Sequence, residues 1–227
     1  MEKWKRLPDE NEQEAYRVCG GDRMMNILFV NACVRQNSRT KRLADEVLAR
    51  LGGEVTEIDL QQEAIHPLTA ATLKKRDSLA AKNDFEDEMF RYARLLAKAD
   101  KLVIAAPYWD LSFPSLLKVF IESVNVVGLT FAYGENGVPY GLCRADEMIY
   151  ITTAGGHIVS DEFGYGYLQR QCEMFYGIPH TTCIKAEGLD VVGADVDQIL
   201  ADAKKEIDIK LNGTLSKIHH KGRNNNE

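Results

Sequence analysis

Short apolar segments with few polar interruptions alternate along this chain with amphipathic segments of helical period. The clearest apolar segment, residues 101–107, reads Lys-Leu-Val-Ile-Ala-Ala-Pro, and residues 26–30 read Asn-Ile-Leu-Phe-Val. Such runs are typical of strands in a parallel sheet, because helices cover both of its faces and neither face is polar. No other feature of the sequence restricts the fold as strongly.

The alternation predicts a three-layer α/β sandwich with a five-stranded parallel sheet and helices on both faces. Strands are predicted at residues 26–30, 54–60, 101–107, 147–153 and 182–186, and helices at residues 40–51, 85–99, 114–124, 164–175 and 195–210. Residues 61–82 are interpreted as a surface connection with one helical turn. Residues 128–142 are interpreted as a loop rich in glycine and aromatic residues. In such sheets ligands bind beyond the carboxyl ends of the strands.

Composition indicates a single cytoplasmic domain. The 227 residues suit one domain at 25–211, with a polar N-terminal extension at 1–24 and a polar C-terminal tail at 212–227. No apolar run approaches the roughly 20 residues that span a bilayer, and residues 1–23 lack the apolar centre of a signal peptide. The five cysteines form no closely spaced pair, so we expect reduced thiols and no zinc or iron–sulfur site. A net charge of −6 argues against nucleic acid or an anionic membrane as the main partner.

The loop after the first strand, residues 31–40, has the composition of a phosphate site. A phosphate needs several donors that point inward and a positive potential, and a helix N-terminus supplies both. Ser38 and Thr40 add hydroxyl groups, while Arg39 or Arg35 adds charge. No GxGxxG or Walker motif is present, so a dinucleotide or nucleoside triphosphate is not expected. The alternative is that Ser38 only caps a helix, and the loop alone does not decide between the two.

Two further loops suit a flat, redox-active ring. Residues 107–114 place Tyr108 and Trp109 at a strand end, where aromatic side chains and backbone groups meet the needs of a flavin ring. The alternative is that Tyr108, Trp109 and Phe113 only pack the end of the sheet. Residues 152–157, Thr-Thr-Ala-Gly-Gly-His, allow close approach of the backbone to a ligand. His157 is a candidate proton donor or substrate contact, against the alternative of an ordinary surface histidine.

Together these motifs resemble the family of FMN-dependent NADH-azoreductases and NAD(P)H:quinone reductases. The resemblance is carried mainly by residues 107–133, in the segments Pro-Tyr-Trp-Asp-Leu, Phe-Pro-Ser-Leu-Leu-Lys, Phe-Ile-Glu and Gly-Leu-Thr-Phe-Ala-Tyr. Ser-Arg-Thr at 38–40, Thr-Ala-Gly-Gly at 153–156 and Ala-Glu-Gly-Leu at 186–189 resemble further family motifs in the right order. The similarity extends from about residue 26 to residue 210.

The resemblance implies a flavodoxin-like fold with strand order 2-1-3-4-5, an FMN cofactor, NADH or NADPH as co-substrate, and a homodimer. It implies that a nicotinamide delivers hydride to flavin N5 and that a quinone or azo compound is then reduced, with no side chain as an obligatory nucleophile. The residues that would hold the cofactor are Ser38, Arg39 and Thr40 at the phosphate, Pro107, Tyr108, Trp109, Asp110 and Leu111 at the ring, and Thr153, Ala154, Gly155 and Gly156 at its polar edge. Tyr133 and His157 would contact the substrate.

Three positions depart from the family pattern. Asparagine is usual where Asp110 stands, and an ionised carboxylate near the ring should lower the flavin potential. Arginine is usual where Ala154 stands, and an early serine of the phosphate loop is replaced near Ala32 and Cys33. Alternatives to the oxidoreductase are an NAD(P)H:flavin reductase that releases FMN, a flavodoxin-like electron carrier without nicotinamide activity, and a structural or regulatory protein on the same fold.

Overall fold

The computed structural model describes residues 24–221, with side chains described for residues 24–211. Of the predicted N-terminal extension only Met24 falls within this range, and the end of the predicted tail lies outside it. Over the range described, no helix combines the length and the apolar character needed to cross a membrane.

The strands are β1 (Asn26–Asn31), β2 (Glu54–Asp59), β3 (Lys101–Ala105), β4 (Phe131–Tyr133), β5 (Pro139–Gly141), β6 (Glu147–Thr153) and β7 (His180–Ala186). The α-helices are α1 (Arg39–Leu51), α2 (Ala70–Ala80), α3 (Arg91–Lys98), α4 (Ser115–Val124), α5 (Tyr165–Gln171) and α6 (Val196–Lys221). A short 3₁₀ helix (Glu88–Phe90) precedes α3, and a π-helical segment (Cys172–Tyr176) continues α5.

The main sheet is parallel throughout, with strand order β2-β1-β3-β6-β7. Counted among the strands of this sheet alone, the order is 2-1-3-4-5, so the predicted topology is confirmed. Asn31 of β1 pairs with Ala105 of β3, which in turn pairs with Ile151 of β6. The carboxyl ends of β1 and β3 are therefore level and β6 continues from Ile151 to Thr153, so the loops that follow the three strands meet at one edge of the sheet.

The alternating side chains of the sheet enter two separate cores. On one face Leu28, Ile104 and Tyr150 pack with residues of α3, α4 and α5. On the other face Phe29 and Ile149 pack with residues of α1 and α6. The continuous apolar strands result from this coverage on both faces, as the sequence predicted.

Helix α2 corrects the interpretation of residues 61–82 as a connection with one helical turn. Thr69 caps this helix in a reciprocal capping box with Thr72. Ala80 is the only buried residue within α2, so the helix has no apolar stripe that a sequence pattern could reveal. Arg76 links α2 to α4, because its side chain donates a hydrogen bond of 3.1 Å to the backbone carbonyl of Glu122 near the end of α4.

The structure also differs from the sequence predictions in a hairpin and in two helices. The predicted loop 128–142 contains the antiparallel hairpin β4–β5. A Cβ atom at Gly141 of this hairpin would lie 1.9 Å from the backbone nitrogen of Gly177, so the hairpin contacts the end of the π-helical segment as only glycine permits. The predicted helix 85–99 is divided between a 3₁₀ turn and α3, and α6 continues to Lys221 rather than ending at residue 210.

A buried ion pair joins the amino ends of β3 and β6. The Lys101 amino group lies 3.0 Å from Glu147 Oε2 and 3.2 Å from Asp146 Oδ1, and Thr182 donates to Glu147 Oε1 at 2.8 Å. Burial lowers the pKa of Lys101, but the neighbouring carboxylates outweigh it and the pKa lies above its usual value. Lys101 and Glu147 therefore balance each other's charge within the sheet.

We expect Lys101→Met to lower the free energy of unfolding by about 3–5 kcal/mol, because it leaves the Glu147 carboxylate buried without its cation. Lys98→Met, at an exposed lysine of α3, should change it by no more than about 0.5 kcal/mol. Urea denaturation of both variants measures the difference. Equal midpoints for the two variants would contradict a structural role for this ion pair.

Candidate functional site

A cavity of about 410 Å³ opens where the loops after β1, β3 and β6 meet. This is within the roughly 300–1,000 Å³ range of small-molecule sites. The loop after β7 forms the remaining wall. The cavity is lined by Val34, Arg35, Asn37, Ser38, Arg39, Thr40, Pro107, Tyr108, Trp109, Thr153, Ala154, Gly155, Leu189 and Asp190.

Ser38 directly precedes helix α1 and also lines the cavity. Its hydroxyl accepts a hydrogen bond from the backbone N–H of Lys41 at 3.2 Å, so it is a helix cap, as one of the two interpretations of this loop proposed. The backbone N–H groups of Arg39 and Thr40 have no acceptor among the described residues. The helix N-terminus therefore presents free donors and positive potential to the cavity.

The hydroxyl groups of Thr40 and Thr153 lie 2.7 Å apart and are buried. This contact joins the first turn of α1 to the last residue of β6. It therefore sets the distance between the two loops, and only one hydroxyl proton of the pair remains for another acceptor.

The carbonyl groups of Gly155 and Gly156 accept hydrogen bonds from the loop after β7. The Gly155 carbonyl accepts from the N–H of Asp190 at 2.9 Å, and the Gly156 carbonyl accepts from the N–H of Gly188 at 2.8 Å. Neither glycine N–H finds an acceptor in the part of the chain that the structure describes. The turn is thus attached to the loop after β7 while its donors stay available.

Arg39 is paired across the cavity with a residue that the sequence analysis did not identify. Its Nη1 atom lies 2.9 Å from Asp190 Oδ1 and 3.5 Å from the carbonyl oxygen of Leu189. The segment 186–189 was noted in the sequence only as a family motif, and Asp190 follows it directly. Because Asp190 is 151 residues from Arg39, only the fold reveals this pairing.

The loop after β3, residues 107–114, contains a tight hairpin turn. Trp109 and Ser112 exchange two backbone hydrogen bonds of 3.0 and 2.8 Å, and Asp110 and Leu111 between them have φ angles of 49° and 68°. Positive φ at both central residues is typical of a type I′ turn. The Ser112 hydroxyl donates to the carbonyl of Phe163 at 2.6 Å, which holds the turn against the loop before α5.

The aromatic side chains of this loop differ in accessibility. Tyr108 lines the cavity, and its hydroxyl is buried and lacks a hydrogen-bond partner among residues 24–211. Trp109 is 40% exposed and Leu111 56% exposed. The turn therefore presents an apolar surface at the mouth of the cavity.

The structure places nine of the predicted cofactor residues around the cavity and leaves the others beside it. Asp110 and Leu111 stand in the exposed turn, so solvent screens the Asp110 charge, and its effect on a flavin stays a prediction. Gly156 adjoins the cavity through Gly155. His157 is exposed, with Nδ1 4.0 Å from Glu187 Oε2, and Tyr133 lies in β4; neither lines the cavity.

Cys33, at the front of the first loop, is buried and does not line the cavity. Its N–H donates to Asn31 Oδ1 at 3.0 Å, and burial raises the pKa of its thiol. The thiol therefore stays neutral and supplies neither a hydroxyl donor nor a charge. Val34, Arg35 and Asn37 line the cavity from the same loop.

Comparison with known proteins identifies the family of this chain. A family model described as a flavodoxin-like fold matches residues 25–211. The FMN-dependent NADH:quinone oxidoreductase of Coprothermobacter proteolyticus is 32% identical over 195 residues, which cover 81% of this chain and 96% of the relative. The FMN-dependent NADH:quinone oxidoreductase 2 of Clostridium acetobutylicum is 36% identical over 189 residues, covering 78% of this chain and 93% of the relative.

A solved structure shows the same fold. It is an FMN-dependent NADH-azoreductase from Bacillus anthracis in complex with FMN, with a TM-score of 0.71 at 20% identity. The likeness covers 84% of this chain and 99% of that chain. The family resemblance and the fold class drawn from the sequence are confirmed.

Leu111 offers a test of strain in the turn at the cavity mouth. A leucine with positive φ is strained by roughly 1–2 kcal/mol, and its exposure means that little apolar contact is lost on truncation. We expect Leu111→Gly to raise the free energy of unfolding by up to about 1 kcal/mol, as measured by urea denaturation. Val192→Gly, at an exposed loop residue outside the left-handed region, should give no gain. A gain of similar size in both variants would refute strain at Leu111.

Proposed function

Because the chain belongs to the flavodoxin-like family that includes the FMN-dependent NADH:quinone oxidoreductases, we propose that it is itself an FMN-dependent NAD(P)H oxidoreductase that reduces quinones or azo compounds. The observation that carries the proposal is a set of backbone donors at one cavity that have no acceptor among the described residues. Arg39 and Thr40 supply them from the start of α1, and Gly155, with Gly156 adjoining it, supplies them from the turn after β6.

The donor set fits FMN at both of its polar ends. A phosphate dianion suits the N-terminus of α1, where N–H groups and the helix dipole act together. The carbonyl-rich edge of the isoalloxazine suits a turn whose N–H groups have no other acceptor. Between these ends the ring of Tyr108 and the side chain of Trp109 provide apolar surface.

We assign the predicted residues accordingly. Ser38, Arg39 and Thr40 hold the phosphate, the segment 107–111 lines the ring, and the segment 153–156 donates to its polar edge. When bound, FMN supplies the hydride acceptor and donor at N5, so that the nicotinamide and the electron acceptor are used in turn. The side chains bind and orient these groups and exclude water, and none serves as a nucleophile.

The proposed acceptors enter at the apolar mouth of the cavity. Trp109 lines the cavity and is exposed, as are Leu111 in the same turn and Phe163, whose carbonyl accepts from Ser112 of that turn. We propose that the mouth is completed by a second copy in a homodimer and that Tyr133 and His157 contact the substrate there. A cytoplasmic location is supported by Cys33, Cys143, Cys172 and Cys183, which are all free thiols.

The protein should stay yellow through gel filtration. Under nitrogen, NADH or NADPH should bleach the visible flavin band, and menadione should restore it. Parallel assays with the two nicotinamides give the preferred one. A protein that stays colourless and fails to quench the fluorescence of added FMN contradicts the proposal.

The same experiment separates the alternatives. Loss of colour during gel filtration, with nicotinamide oxidation dependent on added FMN, favours a flavin reductase. Retained colour that neither nicotinamide bleaches favours an electron carrier.

Ser38 tests whether the helix cap is also a phosphate ligand. Ser38→Ala should lower the free energy of unfolding by about 0.5–2 kcal/mol through loss of the cap. If the hydroxyl also donates to phosphate, FMN affinity should fall about two- to tenfold while riboflavin affinity stays unchanged. Fluorescence titration with both flavins measures this.

The matched control is Thr69→Ala at the cap of α2, outside the cavity lining. It should lose similar stability with no change in the affinity for either flavin. Unchanged FMN affinity in Ser38→Ala would leave Ser38 a helix cap only.

A further inference from the structure

We propose that Asp190 limits the affinity of this site for the phosphate group by holding Arg39 in an ion pair. The inference rests on the proposed function, since it concerns the phosphate end of an FMN site. Asp190 directly follows the segment 186–189 and lies outside the sequence motifs named above.

Arg39 lines the cavity as the first residue of α1, so its cation belongs to the proposed phosphate end, where Arg35 is a second lining cation. Its guanidinium lies 2.9 Å from the Asp190 carboxylate and also reaches the Leu189 carbonyl. A guanidinium held in this way has fewer N–H groups free for a phosphate. To bind phosphate through its side chain, Arg39 must share or leave this pair.

Asp190 is itself held against the cavity wall. Its N–H donates to the Gly155 carbonyl at 2.9 Å, and a Cβ atom added to Gly155 would lie 2.4 Å from Asp190 Oδ2. The carboxylate therefore lies between the turn at residues 153–156 and the start of α1. A phosphate dianion at the helix N-terminus is repelled by this negative charge. It also finds the positive charge of Arg39 already paired with a carboxylate.

Both effects act on the phosphate charge, and the bond from the Asp190 N–H to the Gly155 carbonyl, which holds the turn proposed at the ring edge, is a backbone bond that Asp190→Asn keeps. We therefore expect Asp190→Asn to tighten FMN binding about three- to tenfold, the range expected for a partly exposed charge close to an anion. Riboflavin, which lacks the phosphate, should bind as tightly to this variant as to the wild type. Added salt should reduce the difference for FMN by screening the charges.

The experiment is fluorescence titration of the full-length protein, freed of bound flavin, with FMN and with riboflavin. The variants are Asp190→Asn, Arg39→Gln and the double variant. Asp84→Asn makes the same change in net charge at an exposed acid outside the cavity lining and should alter neither affinity. In the double variant the gain from Asp190→Asn should shrink, because the cation that it releases is gone.

The outcomes are distinct. Tighter FMN binding with unchanged riboflavin binding supports the role of Asp190. Weaker binding of both flavins in Asp190→Asn would overturn it, since the carboxylate would then be a direct ligand of a group common to both, and unchanged FMN affinity would overturn it too. Failure of the wild type to bind either flavin would overturn the proposed function, and this inference with it.

Discussion

Backbone N–H groups without acceptors are the feature on which the candidate site depends. A parallel sheet brings the ends of β1, β3 and β6 to one edge, and α1 begins there with the N–H groups of Arg39 and Thr40 unpaired among residues 24–221. The turn after β6 adds the N–H groups of Gly155 and Gly156. Unpaired backbone donors are costly in a folded protein unless water or a ligand accepts from them. The arrangement therefore favours a ligand with acceptors at two separated ends.

Side-chain contacts between neighbouring loops hold these donors in position. The hydroxyl pair of Thr40 and Thr153 joins α1 to β6, and Ser112 joins the aromatic turn to the loop at Phe163. After Gly155 and Gly156, the N–H of Ile158 donates to the Glu187 carboxylate at 2.9 Å, which joins the loop after β6 to the loop after β7. Each contact restricts one loop relative to the next before any ligand arrives. Such pre-organisation lowers the entropy cost of binding.

Continuous apolar strands were predictable from the sequence, and elements formed by contacts distant in the chain were not. Strand 147–153 has the predicted bounds because it is buried along its whole length. Helix α2 escaped prediction because it buries only Ala80, and the β4–β5 hairpin because it depends on a backbone contact between Gly141 and Gly177. The cavity was located through the strand ends, but Asp190 was missed because its partner Arg39 is remote in sequence. The ligand roles of the individual residues stay predictions.

The distribution of charge at the site explains how an acidic protein can bind an anion. Arg39 and Asp190 balance each other, and Cys33 is neutral because burial raises the pKa of its thiol. At the proposed phosphate site the N–H groups and dipole of α1, which the main sheet holds in place, then act together with Arg35, a second cation of the cavity lining. A surface acid such as Asp190 can adjust the affinity without altering those groups. The fold thus positions the donors of the proposed phosphate site, and the exposed pair of Arg39 and Asp190 adds a side-chain charge that adjusts the proposed affinity.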